Sequence, residues 1–259
     1  MALDTHRCFV ALLIVLILSC SNLCRASLPQ FYVPQDGNAD QRRGQLIQAF
    51  EDAFLMAKVA AVTFDPCEEV FLRYFRPIEA PFVKNVFQTI ANIPLNLDLD
   101  SQNVIDILSS AAVAEELQPK FANLELAWGN HPSLPERYQD CGKEVANGGG
   151  GNVAAFLFID PMVLGDSALI SICDLTWEFP TLKEVFSPPA SGRNAQGNPL
   201  PGYTCEGLGD RDTDWMSCPG GMLLHELMHW TALLEDVPGY SDLIDENSDG
   251  FPQIVDFCK

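Results

Sequence analysis

One short segment constrains this chain more than any other. Met222 to Leu234 reads MLLHELMHWTALL and is apolar nearly all round. A helix of that kind is buried. Yet it carries His225, Glu226 and His229, and ionisable groups are costly to bury without partners. Residues at i and i+4 share one helix face, so both imidazoles can aim nitrogens at a single ion. Zinc accepts such nitrogens at about 2.0–2.1 Å. Glu226, one step round the helix, faces the remaining coordination position. There it can act as a general base, taking a proton from water and returning it to a leaving amine. The bland alternative is a pair of core histidines satisfied by hydrogen bonds.

The chain has four histidines in all. His6 falls in an apolar leader, and His131, in Asn130-His131-Pro132, reads as a turn residue. No histidine follows His229, which excludes a third histidine ligand a short way downstream. A catalytic zinc usually has three protein ligands. The remaining candidates are Asp236, Asp242, Asp245, Glu246, Asp249 and Asp256, and the residues alone do not choose among them.

The leader places the chain outside the cell. Cys8 to Cys20 (CFVALLIVLILSC) has the length of a signal-peptide core and is too short to span a bilayer comfortably. Small residues at Cys24 and Ala26 put cleavage after Ala26. Residues 1–26 are therefore expected to be a signal peptide and 27–259 a single domain, secreted, with no membrane association after cleavage; with Asp4 beside Arg7 weakening the charge of the first residues, an uncleaved anchor is the alternative. Three of the nine cysteines leave with the leader. Cys67, Cys141, Cys173, Cys205, Cys218 and Cys258 remain, an even set that predicts three disulfides in an exported chain. No C-x-x-C pair exists, which argues against a cysteine zinc site, and no N-glycosylation sequon occurs. The net charge is −20, from 35 acidic and 15 basic side chains. Such a surface repels nucleic acid and anionic membranes. Hydrophobic content of 47% supplies ample core, so the composition is not that of a disordered chain.

The mature chain divides into a helix-rich first half and a short strand-rich stretch before the histidine helix. A long helix capped by Asp36 or Asp40 runs to about Val62, with Leu46, Ile47, Phe50, Phe54, Leu55 and Val59 at helical spacing. Cys67 to Arg76, Pro81 to Ile93 and Asp100 to Glu116 read as three further helices, the last capped by Ser101. Phe121 to Trp128, Val153 to Ile159 and Ala168 to Cys173 read as strands. Gly148 to Gly151 is a flexible loop with no following lysine, so it is no phosphate cradle. Ser187 to Tyr203 is a long Pro/Gly loop. Met222 to Leu234 is a single helix.

The run Cys173…Phe179-Pro180-x-Leu182…Cys205…Cys218…His225-Glu226-x-x-His229 resembles fungal secreted metalloproteases of the deuterolysin-like, aspzincin group, which includes lysine-specific metalloendopeptidase-like relatives. Cys67 to Phe87, with Tyr74-Phe75 and Val83…Val86-Phe87, is similar to the helical half of that fold. The likeness spans most of the mature chain, but only the histidine helix is a specific motif. It implies an α+β zincin-like metalloprotease domain, with zinc held by two histidines and an aspartate. In that family the aspartate is followed shortly by Tyr-Gly. Ile254-Val255-Asp256-Phe257 is the best match, so the resemblance assigns the metal to His225, His229 and Asp256 and the catalytic role to Glu226. Asp236 and Asp242 are second choices. No Tyr-Gly follows Asp256 before Lys259, so against the family pattern the C-terminal end reads as incomplete, or the chain as an inactive relative.

The tail has a competing reading. Asp245-x-Asn247-x-Asp249-Gly250…Asp256 also fits a calcium loop with oxygen ligands at positions 1, 3, 5 and 12. Glutamate is usual at the last position, and Pro252 is awkward where a backbone N–H is needed. Two function classes follow. One is a secreted zinc endopeptidase with protein or peptide substrates. The other is a secreted zinc-binding, catalytically inactive protein. Glu226 separates them, because a pure zinc binder has no use for it. Substrate preference and oligomeric state are not legible in the sequence.

Overall fold

The structure is a computed structural model that describes residues 28–109, 117–143, 153–160, 164, 167–204, 214–243, 245–246 and 252–253. About half of it is helical, and the helices accompany a small four-stranded sheet. In chain order the main elements are β1 (Gln30–Tyr32), α1 (Ala39–Val62), α2 (Glu69–Tyr74), α3 (Ala80–Ile90), α4 (Ser101–Ser109), β2 (Leu124–Trp128), β3 (Ala155–Phe158), β4 (Ala168–Ile172) and α5 (Leu182–Phe186). Then come α6 (Pro219–Met228), α7 (Thr231–Leu234), α8 (Tyr240–Leu243), β5 (Asp245–Glu246) and β6 (Pro252–Gln253). The leader, the four-glycine run, Cys205, Asn247, Asp249, Asp256 and Cys258 lie outside the described residues.

The long first helix forms where its spacing predicts. Asp36 accepts a hydrogen bond from the Asn38 amide at 2.8 Å and pairs with Arg42 at 2.7 Å, which fixes the approach to α1. Its inward face differs from the one expected. Leu46, Phe50 and Phe54 are buried, but Ile47, Leu55 and Val59 are exposed. Alanines 49, 53, 57 and 61 fill the rest of the buried stripe. Small side chains there let another helix come close, and the helix that does so is α6. Lys58 is also buried, with its ammonium 4.8 Å over the Phe54 ring.

Helices α2, α3 and α4 confirm the reading of the first half with shifted ends. Pro81 sits in the first turn of α3 as expected, behind a 3-10 turn at Pro77–Glu79. At α4 the cap is Asp100 rather than Ser101: its carboxylate accepts from the amides of Gln102 and Asn103 at 3.0 and 2.8 Å. Residues 110–116, expected to continue this helix, lie outside the described residues.

The sheet runs in the order β1-β2-β4-β3. β1, β2 and β4 are parallel, and β3 closes one edge antiparallel to β4. Parallel neighbours need a long crossover, and between β1 and β2 that crossover is α1 to α4. Side chains alternate across the sheet as strand geometry requires. Leu124, Leu126, Ala168, Ile170 and Ile172 face the main core, shared with α1, α3 and α6. Ala127, Phe158 and Leu169 face a smaller cluster with Leu134. The expected strand from Phe121 starts later: Pro119–Asn123 is a 3-10 turn that drops Phe121 into the core, edge-on to Phe50 at 5.2 Å.

Among the described cysteines one disulfide forms, Cys141–Cys173, pinning the loop after β2 to the end of β4. Cys67 is an exposed thiol and Cys218 a buried one. Among the described cysteines, then, only one of the three expected bridges is seen, and Cys205 and Cys258 of the set of six lie outside the described residues. The Pro/Gly loop at 187–203 is ordered by Arg193, which donates to the carbonyls of Pro188 and Gly197, both at 2.9 Å. No helix among the described residues is long and apolar enough to cross a membrane.

Candidate metal centre

The helix carrying His225, Glu226 and His229 begins at a thiol. Cys218 occupies the N-cap, and its Sγ accepts from the Gly221 amide at 3.3 Å. Pro219 follows at the first helical position, where its missing N–H costs nothing. Burial pushes the Cys218 thiol pKa up, so it is a structural cap rather than a reactive group.

The expected single helix from Met222 to Leu234 is interrupted. α6 ends at Met228, with His229 as its C-cap in a helical conformation. The His229 amide donates to the Glu226 carbonyl, three residues back, at 3.1 Å, so the last turn tightens. Trp230 then turns extended and starts α7 as its N-cap. The cause lies in the core. Trp230 is 1% exposed and packs near Phe121, with ring centroids 6.3 Å apart. Burying so large a side chain outweighs one further turn of helix.

The break falls just beyond the site, so the i, i+4 relation survives. His225 is exposed and His229 half-buried, and their Nε2 atoms lie 3.2 Å apart. Their rings meet nearly edge to face, at 77°. Two nitrogens bound tetrahedrally to zinc at 2.0–2.1 Å stand about 3.3 Å apart. The pair therefore has the spacing that a shared ion requires. The same distance also serves an N–H···N hydrogen bond between the rings. Glu226, between them in sequence, is 8% exposed, while its neighbours Leu223, Leu224 and Leu227 form the helix's core face. His225, Glu226 and His229 each make further interactions as well.

The candidate third ligands fare differently. Asp236 is exposed and bonded to Lys120 at 2.9 Å, in a cleft with Thr89, Pro94 and Leu233. Asp245 and Glu246 lie on β5, paired antiparallel with Gln253 and Pro252 of β6. That ribbon closes the proposed calcium loop across its own positions 1 and 9, while Asn247 and Asp249 fall outside the described residues. Asp256 does too. No group of three or more metal-ligating side chains occurs among the described residues.

His131 is a turn residue, as its sequence context predicts. It is nearly buried, with Nδ1 2.6 Å from Ser133 Oγ and Nε2 3.3 Å from Glu125 Oε1. Two features escaped the sequence reading: the thiol cap at Cys218 and the anchor at Trp230. A proline directly after Cys218 was the available sign of the cap. Compared with models of protein families, with curated proteins and with solved structures, the chain gives no match.

Proposed function

We propose that this protein is a secreted zinc endopeptidase of zincin-like fold, in which His225 and His229 hold the metal and Glu226 is the general base. One observation carries the reading: two imidazole nitrogens 3.2 Å apart on one helix face, with a glutamate between them in sequence. A zinc ion bound there supplies Lewis-acid chemistry, polarising a peptide carbonyl and making water acidic near neutral pH. With the metal held by the two histidines, Glu226 would be the residue that accepts a proton from the attacking water and returns it to the leaving amine. Asp256 is proposed as the third ligand from its sequence context.

A peptide substrate suits the surroundings. β3 is an edge strand, and α6 packs against it. An edge strand offers a row of backbone groups to an extended chain. The alternative, a zinc binder without turnover, has no use for Glu226. Metal analysis of the purified secreted chain, paired with casein digestion with and without a chelator, tests the proposal. One zinc per chain and chelator-sensitive cleavage support the enzyme. One zinc without cleavage leaves the binder, and no zinc removes both.

A further inference from the structure

We propose that Ser133 is a second reactive centre, a nucleophile with His131 as its general base and Glu125 as the positioning residue, which takes small carboxylic esters with good leaving groups. The site is independent of the zinc reading. Glu125 lies on β2 between Leu124 and Leu126, which face the core shared with α6. Its side chain therefore points to the other face of the sheet, away from the histidine helix. There His131 Nε2 stands 3.3 Å from Glu125 Oε1, and Nδ1 stands 2.6 Å from Ser133 Oγ. The backbone assigns the tautomer. The Ser133 amide, which can only donate, reaches Nδ1 at 3.2 Å. Nδ1 is thus an acceptor, and the ring proton sits on Nε2, facing the carboxylate. The Ser133 hydroxyl then donates to Nδ1. Hydroxyl, imidazole and carboxylate stand in the order that activates a nucleophile.

The base is held from several sides. The Tyr32 ring meets the imidazole edge to face, with centroids 4.4 Å apart. Asn130 and Cys141 bond both ways, the Cys141 amide to Asn130 Oδ1 at 3.0 Å and Asn130 Nδ2 to the Cys141 carbonyl at 3.3 Å. The Cys141–Cys173 disulfide stands behind them. The Leu134 amide closes the turn on the His131 carbonyl at 3.1 Å, and the Leu134 side chain is buried. The imidazole is nearly buried while Ser133 is exposed, so a fixed base offers the hydroxyl to solvent. A serine that only shapes a turn needs neither the buried ring nor the carboxylate behind it.

In the reaction Ser133 Oγ attacks the acyl carbon, and its proton passes to His131 Nδ1. Glu125 faces the imidazolium so formed. The ester C–O bond breaks, and the leaving alcohol takes the proton from Nδ1. Water attacking the acyl group by the same route releases the acid and restores Ser133. An exposed turn gives little binding energy to spend on a poor leaving group, so activated esters rather than peptides are the class served.

The test is labelling of the full secreted chain by a fluorophosphonate, with a zinc chelator present throughout and the adduct located by peptide mass spectrometry. The hydroxyl oxygen displaces fluoride from phosphorus, and its proton leaves through Nδ1. The adduct is expected on Ser133, and turnover of p-nitrophenyl acetate is expected to fall to background in Ser133→Ala. His131→Gln is expected to slow labelling at least about 100-fold. Glu125→Gln keeps an acceptor for the Nε2 proton but removes the charge facing the ring. It is expected to move the pH profile of labelling to lower pH, because the imidazolium loses its counter-charge. Loss of packing alone would not produce that shift. No adduct at Ser133 overturns the inference, as does unchanged ester turnover in Ser133→Ala or wild-type labelling in His131→Gln. If His131→Gln does not fold, the Glu125→Gln profile decides, and an unmoved profile overturns the inference.

Discussion

Nε2 of His225 and Nε2 of His229 face each other at 3.2 Å, one turn apart on α6. That spacing serves a shared ion or a hydrogen bond between rings, and substitution separates the two. With a shared ion, His225→Ala and His229→Ala each lower zinc affinity by at least about 100-fold, measured by competition with a chromogenic chelator. Affinity also falls as pH drops, because neutral imidazole is the ligand. Loss of a ring–ring hydrogen bond alone would leave metal content unchanged from zero.

Glu226 does not hold the ion in this reading. Glu226→Gln is expected to keep zinc and lose peptide hydrolysis by about 10²- to 10⁴-fold, the usual share of a general base. Full activity in the variant would remove Glu226 from the chemistry.

Trp230 ends α6 and fills the core beside Phe121. Trp230→Ala leaves a large cavity and is expected to cost about 3–5 kcal/mol, read from urea unfolding. A loss below about 1 kcal/mol would show that the break after His229 has another cause.

Asp52 makes stability depend on pH. Burial raises its carboxyl pKa, opposed by a hydrogen bond from Gln48. A raised folded-state pKa means that the folded chain holds this proton longer than the unfolded chain does. Its contribution is full below the unfolded pKa and is lost as pH rises through the folded one. Asp52→Asn, which still accepts from Gln48, is expected to raise Tm at pH 7 and to change little at pH 3. Equal Tm shifts at both pH values would exclude the charge as the cause.

Cys141–Cys173 closes a loop with a sequence separation of 32. Replacing both cysteines with alanine is expected to cost about 3–4 kcal/mol through the greater freedom of the unfolded chain. Replacing Cys67, whose thiol is free, should leave Tm unchanged. A Tm loss there would mean that Cys67 has a covalent partner.

The sequence determined what periodicity and chemical type can determine. The helical spacing in α1 set its length, and Pro81 marked the first turn of α3. Apolar runs marked β3 and β4, and the i, i+4 histidines put two imidazoles on one face. Each of these is local, because dihedral preference and side-chain direction act over one or two turns. Only the tertiary structure decided the rest. Alanines 49, 53 and 57, rather than Leu55 and Val59, became the buried stripe of α1, because a second helix needed room there. Trp230 ended α6 because the core held a place for an indole beside Phe121. β3 took the antiparallel edge beside α6, an outcome that no pattern within those few residues encodes. These choices depend on which surfaces meet across many residues of chain, and packing complementarity of that kind is not written in any local repeat.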